Sequence, residues 1–362
     1  MRIGIELRAA FALGRHKSGG GGTETHMITM CRALADVGVD MHVFVHPRGH
    51  IGEALSGSLV KLHYGAFRNS ADVLAMRKLW KIIRHVQPDW LIGSFSKEYW
   101  PLAILSRMSG RPLVLFRHMD LRLRPSTRWL LSHWPLRLFA ISEYLRRRLI
   151  EQGIPPARVE VLLNPIHLTE FHRDAEARQN RRRDLGLTDA DFLLGFVGAW
   201  HRGKGVFMLA DAIDAAHAQN VHLHGLWLGG GAHEETLRSR LANKPWHHVL
   251  GWQNPVMPWY SVMDALALPS IEPDTFGRVC LEAQACGTPV LGADIGGIPE
   301  SFVDGQGGWL LPAGDVVRWE NALLSLLADP ALRENFADAG PVYATGFASE
   351  NIACKFLQEL QQ

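Results

Sequence analysis

Two carboxylates stand eight positions apart in the run Pro269-Ser270-Ile271-Glu272-Pro273-Asp274-Thr275-Phe276-Gly277-Arg278-Val279-Cys280-Leu281-Glu282-Ala283. Asp274 falls in a turn and Glu282 about two turns into the helix that follows. A loop acid can accept hydrogen bonds from sugar hydroxyls, and a helical acid can hold two ribose hydroxyls at once. The N–H groups of Phe276, Gly277, Arg278 and Val279 gather at the helix start, where backbone donors and the helix dipole favour an anion. Acids in loops and helices are ordinarily just solvated. The apolar and glycine neighbours here make that reading poor.

Two further segments suit phosphate. In Phe196-Val197-Gly198-Ala199-Trp200-His201-Arg202-Gly203-Lys204-Gly205 a strand ends in a glycine turn bearing two cations. Arg202 and Lys204 could neutralise a departing diphosphate, where charge builds up as a glycosyl bond breaks. The plainer reading is a pair of solvated loop cations. Ser18-Gly19-Gly20-Gly21-Gly22-Thr23-Glu24 follows the first strand candidate. Backbone donors of Gly20, Gly21 and Gly22 could cradle a phosphate at the start of the first helix. The loop lacks both G-x-G-x-x-G spacing and the Lys-Ser/Thr ending of a P-loop. The second strand is followed by His46-Pro47-Arg48 and no ribose-binding acid. A dehydrogenase is therefore a remote alternative. His118, flanked by Arg117 and Asp120, sits at another strand end.

These residues need strand ends and helix starts to hold them. Apolar runs at Ile3–Leu7, Met41–Val45, Trp90–Ile92, Leu113–Phe116, Leu138–Ile141 and Val159–Leu163 read as strands. Thr25–Val37, Ala71–Val86 and 143–152 read as helices between them. The series restarts with strands at Phe192–Val197, 224–228, Ala265–Leu268 and 289–292. Its helices are expected at Val206–Gln219, 277–286 and 322–328. Alternating strands and helices with short connections imply parallel, doubly wound sheets. The chain has 362 residues, long enough for two cores. The expected division is 1–170 and 171–340, each a Rossmann-like domain. A C-terminal helix in 341–362 would pack back on the first domain. The polar stretch Asp174–Arg183 reads as the linker. Ligands bind beyond the carboxyl ends of such strands, which predicts a site in the cleft between two facing domains.

At these motifs the chain resembles the family-4 retaining glycosyltransferases of GT-B fold. Their signature, P-S-x-x-E-x-F-G-x-x-x-x-E-A with its E-x7-E core, is met by Pro269, Ser270, Phe276, Gly277, Glu282 and Ala283. Gly287-Thr288-Pro289-Val290 and Gly296-Gly297-Ile298-Pro299-Glu300 continue it. Lys204 aligns with the lysine of the family's G-R-L-x-x-x-K-G. Ala140-Ile141-Ser142 and Leu163-Asn164-Pro165 resemble the stretch closing the first domain. Asp274 replaces the usual Glu, Ala199 replaces the arginine of the G-R pair, and Asn164-Pro165 replaces Asn-Gly. Arg202 is expected to stand in for the missing arginine. The resemblance implies that His118 contacts the donor sugar and Trp252 lies near the nucleotide base. It implies transfer with retention from a nucleotide sugar, a UDP-hexose first by frequency, with 1–170 the acceptor-binding and 171–340 the nucleotide-sugar-binding domain. His118, Asp274 and Lys204 would carry the chemistry, Asp274 by positioning and charge stabilisation. No D-x-D pair follows a strand, so neither metal nor other cofactor is expected.

Charge is uneven. Residues 1–170 carry a balance of +11 (24 basic, 13 acidic) and 171–362 one of −9 (14 basic, 23 acidic), for a total of +2. A basic half suggests an anionic partner. Arg77-Lys78-Leu79-Trp80-Lys81-Ile82-Ile83-Arg84 is amphipathic and cationic. Leu121 to Arg148 holds seven arginines with Trp129 and Trp134. A glycan or glycolipid acceptor and an anionic membrane surface are the expected partners, with no nucleic acid, since no binding module is present. Glu6 and Arg8 interrupt any signal-peptide core, and no apolar run nears the roughly 20 residues of a membrane span. The expectation is a cytoplasmic enzyme, peripheral on the membrane, in lipopolysaccharide or polysaccharide synthesis. Cys31, Cys280, Cys286 and Cys354 form no C-x-x-C pair and read as reduced core thiols. A GT-B sugar phosphorylase or epimerase and a non-catalytic nucleotide-sugar-binding protein are the alternatives.

Overall fold

The computed structural model describes residues 8–12, by backbone alone, and 21–361. It divides into one unit of Met1–Pro165 with Ala348–Gln362 and a second of Ile166–Phe347. The expected divisions after 170 and 340 thus fall after 165 and 347. The strand expected at Ile3–Leu7 lies outside the described residues, as does Gly20.

The first unit is a seven-stranded, all-parallel sheet. Its strands are β1 (Arg8–Ala12), β2 (Asp40–Val45), β3 (Lys61–Tyr64), β4 (Trp90–Gly93), β5 (Leu113–Arg117), β6 (Arg137–Ala140) and β7 (Val159–Val161). The order is β3-β2-β1-β4-β5-β6-β7, so the winding reverses between β1 and β4. The second unit holds β8 (Phe192–Ala199), β9 (Leu223–Gly230), β10 (His247–Gly251), β11 (Ala265–Leu268), β12 (Val290–Ala293) and β13 (Gly308–Leu311). These are again all parallel, in order β10-β9-β8-β11-β12-β13, and reverse between β8 and β11. The glycine-rich loop follows β1, the Lys204 loop follows β8, and the Asp274 loop follows β11. All three leave the strands that flank a reversal, where doubly wound sheets open a crevice.

Central strands are apolar on both faces because helices cover both faces. β5 is buried at every position, as are β11 and β12. The expected helices appear close to their predicted bounds, Val206–Gln219 without change, except the one expected at 322–328, which starts six residues earlier as Val316–Ala328. Helices Val73–Val86 and Glu143–Glu151 start where Asp72 and Ser142 accept a backbone N–H from Ala75 and Leu145, at 3.1 Å each.

The structure corrects one assignment. The polar stretch read as a linker is the helix Ala175–Asp184 of the second unit, capped by Asp174. It docks by charge instead of an apolar stripe: Arg178 and Arg182 both grip Asp264, at 2.5 and 2.8 Å. The chain's last helix, Ser349–Leu360, belongs to the first unit and packs on helix Gly22–Asp36, with Phe356 against Phe116 and Phe139. Cys31, Cys280 and Cys286 are buried free thiols, whereas Cys354 is exposed. Among the described residues no helix is long and apolar enough to cross a membrane.

Candidate active site

In the second unit two loops meet backbone to backbone. The Gly203 carbonyl accepts the N–H groups of Ile271 (2.9 Å) and Glu272 (3.1 Å). Gly205 has φ +71°, and a Cβ there would lie 1.8 Å from the Pro269 carbonyl oxygen. Only glycine permits that approach. The contact brings the turn Arg202–Lys204 against the loop after β11, and Lys204 forms an ion pair with Asp274. Asp274 also accepts the N–H of Thr275 at 2.9 Å. Two predicted residues 70 positions apart are therefore direct partners. Both remain about a quarter exposed, at 25% for the Lys204 side chain and 22% for that of Asp274.

A third loop holds Asp274 from behind. Gly297 donates its N–H to the Asp274 carbonyl at 2.7 Å. A Cβ on Gly296 would meet the Asp274 carbonyl oxygen at 2.4 Å, and one on Gly297 the Thr275 carbonyl oxygen at 2.4 Å. The Gly296-Gly297 pair is thus a steric condition for the position of Asp274. Sequence reading recorded the pair without this role.

Helix Arg278–Ala285 begins directly after the loop, with Gly277 in the left-handed region at its start. Glu282 is 6% exposed on this helix. One carboxylate oxygen accepts the Tyr260 hydroxyl at 2.6 Å and the other accepts Arg278 Nε at 2.8 Å. Arg278 was expected to contribute its backbone N–H; its side chain also orients Glu282. Each carboxylate oxygen keeps a further lone pair for a ribose hydroxyl. Tyr260 lies 22 positions away from Glu282 and carried no signal in the sequence. Phe276 is buried, with its ring 5.9 Å from that of Phe347, and anchors the loop. Val279 is half-buried.

Other predicted residues lie apart from this pair. Arg202 is exposed, its guanidinium 5.3 Å from the centre of the Phe207 ring. It lines a cavity of about 580 Å³ with Phe207, Glu235, Thr236, Ser239 and Arg240, which neither Lys204 nor Asp274 lines. Trp252 stands 61% exposed just after β10. His201, given no role from sequence, senses the charges of Lys204, Glu272, His233 and Asp274; burial and Lys204 hold it below its usual value.

In the first unit Gly21 caps helix Gly22–Asp36, donating its N–H to Glu24 at 3.3 Å. A Cβ on Gly21 or Gly22 would meet nothing within 4 Å. No neighbour among the described residues therefore demands glycine at either position. His118 follows β5 and is 5% exposed, its ring edge-on to His26 at 4.7 Å. Neither of its ring nitrogens has a hydrogen-bond partner among the described residues. Burial, aided by Arg117, pushes its pKa down to about 3, so the imidazole is neutral at pH 7. A small cavity of about 40 Å³ adjoins it, lined by Thr23, Ser94, Ser96, Tyr99, Arg117 and others.

A family model described as Glycosyltransferase Family 4 matches residues 20–170. One described as Glycosyl transferases group 1 matches residues 191–329. The chain belongs to the family-4 glycosyltransferases. It is an enzyme, a glycosyltransferase of GT-B fold. Among its relatives, a D-inositol 3-phosphate glycosyltransferase of Pseudarthrobacter chlorophenolicus is 26% identical over 90% of this chain and 86% of that one. HepE of Anabaena, solved in complex with UDP and glucose, aligns over 99% of this chain and 100% of that one, with TM-score 0.83 and 20% identity. WaaG, a glycosyltransferase involved in lipopolysaccharide biosynthesis, aligns over 96% and 98% with TM-score 0.69 and 17% identity. At such identities the two structures speak for the fold alone.

Proposed function

We propose that the enzyme transfers a hexose from a nucleotide sugar, a UDP-sugar first, to a glycan or lipid-linked glycan, with retention and without a metal or other cofactor. The observation that carries this is the Lys204–Asp274 pair, clamped at the reversal of the second sheet beside the buried Glu282. In this reading Lys204 exchanges Asp274 for the donor diphosphate and stabilises it as it leaves. The freed Asp274 carboxylate then faces the sugar, positioning its hydroxyls and the positive charge that develops on it. Glu282, pre-oriented by Tyr260 and Arg278, takes the ribose; Trp252 packs on the base. The N–H groups of Phe276 to Val279 and the glycine loop contribute donors to the phosphates. His118, neutral and unpartnered, offers one N–H and one acceptor to the sugar. The UDP bound by HepE supports the choice of base.

A polysaccharide or lipopolysaccharide role rests on the likeness to WaaG and on charge. Helices Val73–Val86, Tyr99–Ser109 and Pro125–His133 are neighbours in the first unit and carry no Asp or Glu. They expose Val73, Leu74, Ile104, Met108 and Trp129 beside Arg77, Lys78, Lys81 and Arg84. Such a face suits the surface of an anionic membrane on the cytoplasmic side.

A thermal-shift panel of UDP-, GDP-, ADP- and TDP-sugars tests the donor, because binding raises stability by mass action. UDP-hexoses should give the largest shift, followed by slow donor hydrolysis without acceptor. No shift with any of the four, in a folded protein, refutes the proposal. Cosedimentation with phosphatidylglycerol vesicles at low salt tests the membrane face; absence of binding removes that part alone.

A further inference from the structure

Arg117 is a guanidinium 4% exposed at the end of β5. Among the described residues no carboxylate lies within ion-pair distance of it. It donates to the Ser96 hydroxyl at 2.8 Å and the Leu121 carbonyl at 2.6 Å, while its Nε has no partner among the described residues. Of the nearby acids, Asp120 accepts from Arg148 (2.9 Å) and Tyr144 (2.6 Å) through one carboxylate oxygen, while its other oxygen is buried without a partner among the described residues and makes no ion pair with Arg117. Glu98, which like Arg117 acts on Tyr99, is pushed up to about 8 by burial and is protonated at neutral pH. A buried cation without a counter-charge is strongly unfavourable unless something outside the chain supplies one.

The surroundings match an anion. Arg117 lines the cavity of about 40 Å³ together with His118, Ser94, Ser96, Thr23 and Tyr99. That volume holds one or two waters or a single oxyanion group, not a sugar ring. Thr23 brings the first turn of a 15-residue helix, whose N–H groups have no intrahelical acceptor. Ser96 and Met119 at the mouth are exposed, so the cavity is reachable. Several donors around one small space fit a multi-oxygen anion better than a neutral hydroxyl.

We infer that Arg117, with Ser96, Thr23 and the start of helix Gly22–Asp36, forms an anion subsite that takes a phosphoryl group of a substrate. This rests on the transfer reading and extends it, since it names a charged group that a substrate must carry. The phosphoryl group belongs either to the acceptor or to the donor diphosphate, and one titration separates the two.

The test uses the full chain with inorganic phosphate at constant ionic strength, followed by calorimetry and thermal shift. Saturable phosphate binding is expected, weakened at least tenfold in Arg117→Met. Unliganded Arg117→Met should be no less stable than wild type, because it removes a buried unpaired charge. Should that variant fold poorly, Arg117→Lys keeps the charge and should retain part of the binding, whereas Ser96→Ala should lower it. A phosphate signal that persists at saturating UDP assigns the group to the acceptor; one abolished by UDP assigns it to the donor. Absence of saturable binding to wild type, or equal binding to Arg117→Met, overturns the inference. UDP binding in the same cell reports separately on the transfer reading.

Discussion

Gly297→Ala is a one-methyl change whose effect the structure quantifies. The residue has φ −96° and ψ 3°, which alanine adopts freely, so backbone strain is not the issue. The added Cβ would lie 2.4 Å from the Thr275 carbonyl oxygen, 2.7 Å from its carbon and 3.1 Å from the Phe276 Cα. An ordinary contact at about 3.4 Å requires the 274–276 backbone to retreat by about 1 Å. The Gly297 to Asp274 hydrogen bond of 2.7 Å would stretch with it. Misplacing a reacting group by about 1 Å costs roughly 100-fold in rate, or about 2.7 kcal/mol. Overpacking should cost a further ~1–3 kcal/mol of stability. The assay is steady-state turnover of the best donor from the nucleotide-sugar panel, with UDP affinity measured in parallel. Turnover should fall about 100-fold, while UDP affinity, which the proposed function assigns to Glu282 and Trp252, changes only a few-fold. Gly346→Ala is the control: its Cβ meets nothing within 4 Å, and activity should be unaffected. A folded Gly297→Ala enzyme with wild-type turnover would refute the claim that this glycine sets the position of Asp274.

Further outcomes follow from the same contacts. Asp274→Asn keeps the shape but removes the charge that faces Lys204, so turnover should drop by ~100-fold or more with the melting temperature within a few degrees; normal turnover would show that the carboxylate has no role. Tyr260→Phe takes away the 2.6 Å donor to buried Glu282 and should cost ~1–3 kcal/mol, with donor KM rising more than kcat falls; an unchanged KM would dissociate Tyr260 from donor binding. Arg202→Gln should weaken UDP binding if Arg202 leaves Phe207 for the diphosphate, and an unchanged affinity sinks that substitution for the missing arginine at Ala199. Glu98 has a folded pKa raised to about 8 against an unfolded value near 4.5, so the folded state holds the extra proton between those limits and stability falls as pH rises through 8. Glu98→Gln should flatten urea-melt stability from pH 6 to 9 relative to wild type; parallel curves would show that Glu98 is not the titrating group. On the acid side, burial holds His118 down to about 3 and His247 and His248 down to about 4, so all three cost stability as pH drops below 6.5 in either protein.

The strands that sequence patterning located and those it passed over differ in position. β4, β5, β8, β11 and β12 lie inside their sheets and read as unbroken apolar runs, since helices cover both faces. β3, β10 and β13 went unrecognised, and each is an edge strand; the pattern is not exact, since the central β1 at Arg8–Ala12 was passed over too and the edge strand β7 was located. Lys-Leu-His-Tyr and His-His-Val-Leu-Gly have no such run, because an edge has fewer neighbours to bury against. The helix Ala175–Asp184 escaped for a related reason. Its docking is carried by arginines gripping Asp264, a contact that hydrophobic periodicity does not register.

For the site, sequence alone determined the residue types and the loops that carry them. Glycines where chains must approach, cations after β8 and acids after β11 are local demands of local chemistry, and local demands leave local patterns. Tertiary structure decided who partners whom. Lys204 meets Asp274 across 70 positions, Tyr260 reaches Glu282 across 22, and Arg117 is left buried with no carboxylate within ion-pair distance among the described residues. Such pairings depend on how parallel strands are ordered in the sheet, and that order comes from the summed packing of helices on its two faces. No short stretch of sequence contains that sum.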